Sequence, residues 1–138
     1  MVRSPLLCIV PPHVLREIAR RGSERQREWA LATLAASERM RGRRELLGEL
    51  APPLPGGKGG RRTVFDAGHG ERLPGALVRA EGGAPVRDPA VNEAYDGAGA
   101  TYDLYREVYG RNSIDGKGMR LVSSVHFGRA YDNAFWEG

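Results

Sequence analysis

The side-chain amide of Asn133, set beside Ala134-Phe135-Trp136, is the arrangement in this chain that could do chemistry, and that chemistry is the capture of extended backbone. A side-chain amide donates and accepts at once, as a peptide group does. Ala134, Phe135 and Trp136 pack large apolar surface into three consecutive positions, and upstream Val125 and Phe127 alternate with polar neighbours. Residues 123–138 therefore read as a strand, a short bend and a second strand. Such an edge can hold a peptide by strand addition, with backbone bonds giving affinity and side pockets giving choice.

Other reactive constellations are missing or weak. His13, His69 and His126 are isolated, and no H-E-x-x-H pair places two imidazoles on one helix face for zinc. A single cysteine, Cys8, excludes C-x-x-C and an internal disulfide. Neither G-x-S-x-G nor a P-loop is present. Cys8 and His13 have loose metal-ligand spacing, but Pro11-Pro12 between them argues against a shared ion. His126 is expected to face a hydrogen-bond partner from a strand, and His69 to sit in a turn. The carboxylates form no dyad that spacing can defend. A complete active site is not expected from these residues.

The elements that must position Asn133 form two groups. In residues 1–50, Leu6 to Val10 is a short extended apolar segment, and Pro11-Pro12 can stop it and open a helix. Val14, Leu15, Ile18 and Ala19 share a helical face, with Gly22 as the stop. Ser23 and Gln26 form a capping box for a second helix. On that helix Trp29, Ala32 or Thr33, Ala36 and Met40 recur at helical spacing, and Leu46, Leu47 and Leu50 suggest a short third helix. Residues 51–62, rich in Pro, Gly and Arg, read as a linker with a processing site.

In residues 63–138 a strand is expected at 63–66, a turn at 67–70 and a second strand at 73–79. Asp88 caps a helix with Pro89 at its first position. Val91, Tyr95, Ala98, Tyr102, Tyr105 and Tyr109 form a helical stripe, ended by Gly110. Gly97 and Gly99 within it suggest close approach of another backbone. A strand at 121–127 leads to Asn133. The fold class is α+β: a small helical arm, then strands, one long helix and strands.

Composition excludes several classes. No apolar run approaches the ~20 residues of a membrane span. The start is too short for a secretory apolar core and lacks a small-residue cleavage site, so no signal peptide is expected. That leaves a cytoplasmic or non-classically secreted protein open. Charge is uneven: residues 1–62 carry +7 and residues 63–138 carry −3. Either the two parts face each other or the arm has a plain solvated basic face. Nucleic-acid binding would need aromatic groups among the arginines, and only Trp29 is there, at a core-like position.

Thr63-Val64-Phe65-Asp66-Ala67, Leu73-Pro74-Gly75, Thr101-Tyr102-Asp103-Leu104-Tyr105, Asp115-Gly116, Ser123-Ser124-Val125-His126 and Tyr131-Asp132-Asn133-Ala134-Phe135-Trp136 resemble, in order and spacing, the start of the thermolysin-family catalytic domain. Residues 8–19 resemble the short propeptide of that family's protealysin branch.

The resemblance implies a zinc metalloendopeptidase zymogen: a propeptide at 1–50 held against a catalytic domain that begins near residue 63. Asn133 is implied to bind substrate backbone through its amide, Ala134 to offer its carbonyl, and Trp136 to contribute backbone and a wall. Peptide or protein is the implied substrate and zinc the implied cofactor, its bound water attacking the scissile carbonyl. The zinc ligands and the catalytic glutamate are expected beyond Gly138, so this chain alone is expected to bind no zinc and to be inactive. The loop at 79–87 lacks the aspartates of one thermolysin calcium site. Cys8 is either an inhibitory zinc ligand for a complete enzyme or a small apolar residue. A binding protein that inhibits a full-length protease, or helps it fold, is the alternative.

Overall fold

The computed structural model describes the backbone of residues 7–47 and 61–136, with side chains from residues 9–40 and 61–136. Leu50 and the linker up to residue 60 lie outside the described residues. The chain divides into two compact units, Met1–Pro52 with Gly128–Gly138, and Pro53–Phe127. The class is α+β, as expected.

In the first unit, β1 (Leu7–Cys8) leads into α1 (Pro12–Arg21). Pro12 opens α1, and the Pro11 carbonyl accepts from the N–H groups of Val14 and Leu15. Leu15 is buried, whereas Val14 faces outward. Gly22 ends α1 in an extended conformation, not a left-handed one. Its absent side chain matters for space: a Cβ would lie 2.6 Å from the Ile18 carbonyl oxygen, which accepts the Gly22 N–H.

Helix α2 (Glu24–Leu47) starts on the expected capping box. The Ser23 N–H donates to Gln26 Oε1 at 2.8 Å and the Gln26 N–H to Ser23 Oγ at 3.4 Å. Ala30, Thr33, Ala36, Ser37 and Met40 form its buried face. Trp29 is only half-buried, with the Arg25 guanidinium 4.5 Å over its ring. No separate helix begins at Leu46, because α2 continues through Leu47. Gly42 is the one helix-weakening residue between Met40 and Leu46, and about 1 kcal/mol of propensity does not end a helix of this length.

The second unit is a three-stranded sheet covered by one helix. Its strands are β2 (Arg62–Asp66), β3 (Ala76–Ala80) and β4 (Leu121–Val125), and α3 (Pro89–Glu107) lies between β3 and β4 in sequence. The order is β3-β2-β4, with β2 antiparallel to β3 and parallel to β4. A parallel pair needs a long crossover, which α3 supplies. The core is Val64, Val91 and Tyr95, with Val78, Val86, Ala94 and Val125 packed around it.

Several boundaries differ from the sequence expectation: Arg62, read as the end of the linker, is the first residue of β2, paired in register with Leu121. Strand β3 begins at Ala76, not Leu73, because Pro74 and Gly75 make the turn. Gly75 has φ +95°, and a Cβ there would run into the Asp66 carbonyl. Strand β4 stops at Val125, since His126 turns into the left-handed region at φ +51°.

Asp88 caps α3 as expected, its Oδ1 accepting the Ala90 N–H at 2.9 Å. The helix ends at Glu107, so Tyr109 falls past it and is exposed. Gly110, at φ +62°, lets the Arg111 N–H return to the Tyr105 carbonyl at 2.9 Å. The tyrosine stripe therefore divides: Tyr95 is core and the later tyrosines line the surface. Neither helical glycine admits another backbone. Gly97 faces open space, and Gly99 makes room for the Arg62 guanidinium.

Candidate peptide-binding edge

Asn133 lies just before β5 (Phe135–Trp136), which pairs antiparallel with β1 in the same compact unit. Leu7 stands opposite Trp136 and Cys8 opposite Phe135. The ladder continues past the two strands, because the Ile9 N–H donates to the Ala134 carbonyl at 2.9 Å.

At the next position a side chain replaces the strand. The Val10 N–H donates to Asn133 Oδ1 at 2.9 Å, and Asn133 Nδ2 donates to the Val10 carbonyl at 3.0 Å. The amide thus holds one residue by both of its backbone groups, as an opposing strand residue would. Asn133 Oδ1 also accepts the Ala134 N–H at 2.8 Å, which fixes the amide's direction.

The chain is shaped locally to allow this. Val10 precedes Pro11, and a residue before proline is driven from the helical region toward extended backbone. Its N–H and carbonyl are therefore presented together. On the other side, the approach to Asn133 passes through Gly128 at φ +67° and Ala130 at φ +53°. One residue before Asn133, the Asp132 N–H donates to Thr33 Oγ1 at 3.0 Å, and Thr33 is fully buried on α2. Tyr131 meets Phe135 edge-on at 5.9 Å. Residues 132–134 are thus tied to both the bend at residues 9–10 that follows β1 and helix α2.

Of the sequence-derived site residues, Asn133 and Ala134 have their backbone-binding groups engaged by residues 9 and 10. Trp136 takes a ladder position opposite Leu7, with its residue 44% exposed, leaving ring surface open. Sequence reasoning missed Ile9, Val10 and Thr33 as the partners. The signal for Val10 was available in Pro11. Nothing local marked Thr33, whose partner is distant in sequence.

The histidines take other places. His126 is set between two carboxylates of the second unit, Nδ1 at 3.1 Å from Asp66 Oδ1 and Nε2 at 3.5 Å from Asp88 Oδ2. The expected strand partner is Asp66. The Asp66 carboxyl is held below its ordinary value: the Gly68 N–H is the largest cause, burial opposes it, and His126 adds to the lowering. His69 occupies the turn after β2, its ring 5.3 Å from that of His126. His13 is exposed on α1. The side chain of Cys8 lies outside the described residues. Among the described residues, no three or more His, Cys, Asp or Glu could together hold a metal ion. No described helix is long and apolar enough to cross a membrane.

Comparison with known proteins bears on both units. Residues 61–138 match the family described as thermolysin metallopeptidase, catalytic domain. The extracellular metalloprotease of Pectobacterium carotovorum subsp. carotovorum is 38% identical over 138 residues, all of this chain and 40% of that protein. Protease PrtS of Photorhabdus sp. (strain Az29) is 49% identical over 75 residues, 54% of this chain and 20% of its own length. The solved precursor of protealysin, a metalloproteinase from Serratia proteamaculans, superposes with a TM-score of 0.74 at 39% identity. It covers 95% of this chain and 36% of its own. The chain therefore spans well under half the length of these proteins. The match over residues 61–138 favours a catalytic-domain portion over a free-standing propeptide-type inhibitor.

Proposed function

The chain belongs to the thermolysin metallopeptidase family, and from that premise we propose that it is the N-terminal portion of a metalloendopeptidase zymogen. Residues 1–50 act as the propeptide. Residues 133–136 form the edge that holds extended substrate backbone in the mature enzyme. Until processing, residues 7–10 occupy that edge. Zinc would be the cofactor of the complete enzyme and would supply Lewis-acid chemistry there. The described residues do not assemble a ligand set for it, so their part in the reaction is binding.

The observation that carries this reading is the amide of Asn133, which holds both the N–H and the carbonyl of Val10. A peptide substrate presents the same two groups on every non-proline residue. Such an edge is indifferent to sequence along the backbone and selects through side pockets, as a protease acting on many peptides requires. The same property lets the propeptide hold it.

The test uses the full-length precursor that carries these residues. Ile9→Pro removes the N–H that donates to Ala134. Peptidase activity is expected to rise earlier and before processing is complete, with kcat/KM of the fully processed enzyme unchanged. Unchanged latency in the Ile9→Pro precursor would remove the occupied-edge reading.

A further inference from the structure

Arg61-Arg62 is the dibasic pair at the end of the linker, and from the sequence alone it is the obvious place for cleavage by a protease that cuts after arginine. We propose the opposite: this pair is a shielded stop, guarded by Glu81, and processing of the zymogen ends upstream of Arg61.

Hydrolysis of the Arg61–Arg62 bond needs its peptide group free to enter a protease cleft as an extended strand. Both ends of that group are taken. The Arg61 carbonyl accepts the Leu121 N–H at 2.9 Å, and the Arg62 N–H donates to Glu81 Oε2 at 3.0 Å. The same Glu81 oxygen accepts the Arg61 N–H at 2.9 Å. One carboxylate oxygen thus pins two consecutive amides.

The following bond is no freer. Thr63 is buried and paired with Ala80 on one side and Val122 on the other, and Val64 behind it is fully buried. Strand β2 is the central strand of its sheet. Opening it for a protease breaks two ladders and exposes core.

The side chains are occupied as well. A protease that cuts after arginine must draw the guanidinium into a pocket. That of Arg62 lies 3.8 Å over the Tyr95 ring, donates to the Tyr95 carbonyl at 3.2 Å and pairs with Glu81 at 3.3 Å. Its room is made by Gly99. Arg61 is the looser of the two: it pairs with Asp103 at 3.7 Å and stacks at 4.9 Å on Tyr102. Its peptide group, not its side chain, protects it.

The shielding stands on the geometry alone, whereas its meaning as a processing boundary rests on the zymogen reading. The experiment tests the shielding without any activity of the protein. The whole chain is treated with trypsin, natively and in urea, and the fragments are identified by mass. Natively, fragments beginning at Arg62 or Thr63 are expected to be missing while the urea-treated chain yields them. In Glu81→Ala, which leaves neither amide an acceptor, the fragment beginning at Arg62 is expected natively, with cleavage after Arg106 in α3 unchanged. Should that variant lose its fold, amide hydrogen exchange of Arg61 and Arg62 in the unsubstituted chain decides. Slow exchange supports the proposal. Exchange at the rate of a free peptide, or native cleavage after Arg61 or Arg62 as fast as in urea, overturns it.

Discussion

Asn133 and Val10 exchange two hydrogen bonds, one in each direction, between a side-chain amide and a backbone peptide pair. This single relationship joins the bend that follows β1 to the edge before β5. It also defines what removal of the amide should do. Asn133→Ala loses both bonds and leaves a part-buried donor and acceptor at Val10. The expected loss is roughly 1–3 kcal/mol, read as a lower urea midpoint. Asn133→Asp keeps an acceptor for the Val10 N–H but sets a carboxylate against the Val10 carbonyl, and is expected to be no better than alanine.

Thr33 and Ser37 lie one turn apart on the buried face of α2, yet they are not equivalent. Thr33 Oγ1 accepts the Asp132 N–H, whereas Ser37 Oγ is buried with no hydrogen-bond partner among the described residues. Thr33→Val keeps the shape and orphans a backbone donor, with an expected loss of about 1–3 kcal/mol. Ser37→Ala removes a hydroxyl whose burial is uncompensated, and is expected to be neutral or stabilising. Equal effects of the two substitutions on thermal unfolding would contradict the assignment.

The glycines of α3 supply a second contrast. Gly97 faces open space, so Gly97→Ala is expected to stabilise by about 1 kcal/mol through helix propensity. Gly99→Ala places a methyl where the Arg62 guanidinium lies and displaces it from Tyr95. It is expected to destabilise despite the same propensity gain. In an Arg62→Ala background the Gly99→Ala penalty should vanish, which a double-mutant cycle measures.

Much of this fold is legible in the residues, for identifiable reasons. The capping box at Ser23 and Gln26 and the Asp88-Pro89 helix start are local signals, and local geometry honours them. Thr63-Val64-Phe65 is a run of strand-favouring residues, and it forms the central strand, with Thr63 and Val64 both buried. What was not legible depends on distant partners. Gly99 looks like a backbone contact until Arg62 is placed beside it. Tyr109 continues the stripe in sequence, but Gly110 turns the chain before it can pack. At the site, Asn133 announced itself through its amide and apolar neighbours, while the identity of its occupant depended on a pairing across 123 positions of sequence.

Acid should loosen the loop after α3. Asp115 Oδ1 accepts the Lys117 N–H at 2.8 Å and the Met119 N–H at 3.0 Å. These bonds, Met119 first, hold its carboxyl below the ordinary value of 3.8. A folded-state value below the unfolded one contributes stability above the unfolded value, and that contribution is lost as pH falls through the folded one. Protection of the Lys117 and Met119 amides is therefore expected to persist at pH 5 and to fall away below about pH 3.8. Asp115→Asn should abolish that pH dependence while leaving the Ala90 amide, capped by Asp88, as it was.

Hydrogen exchange at Val10 tests the occupied edge most directly. In the whole chain the Val10 and Ile9 amides are predicted to exchange slowly, and Asn133→Ala to release Val10 while Ile9, bonded to the Ala134 carbonyl, stays slower. Exchange of Val10 at the rate of a free peptide in the unsubstituted chain would contradict the account.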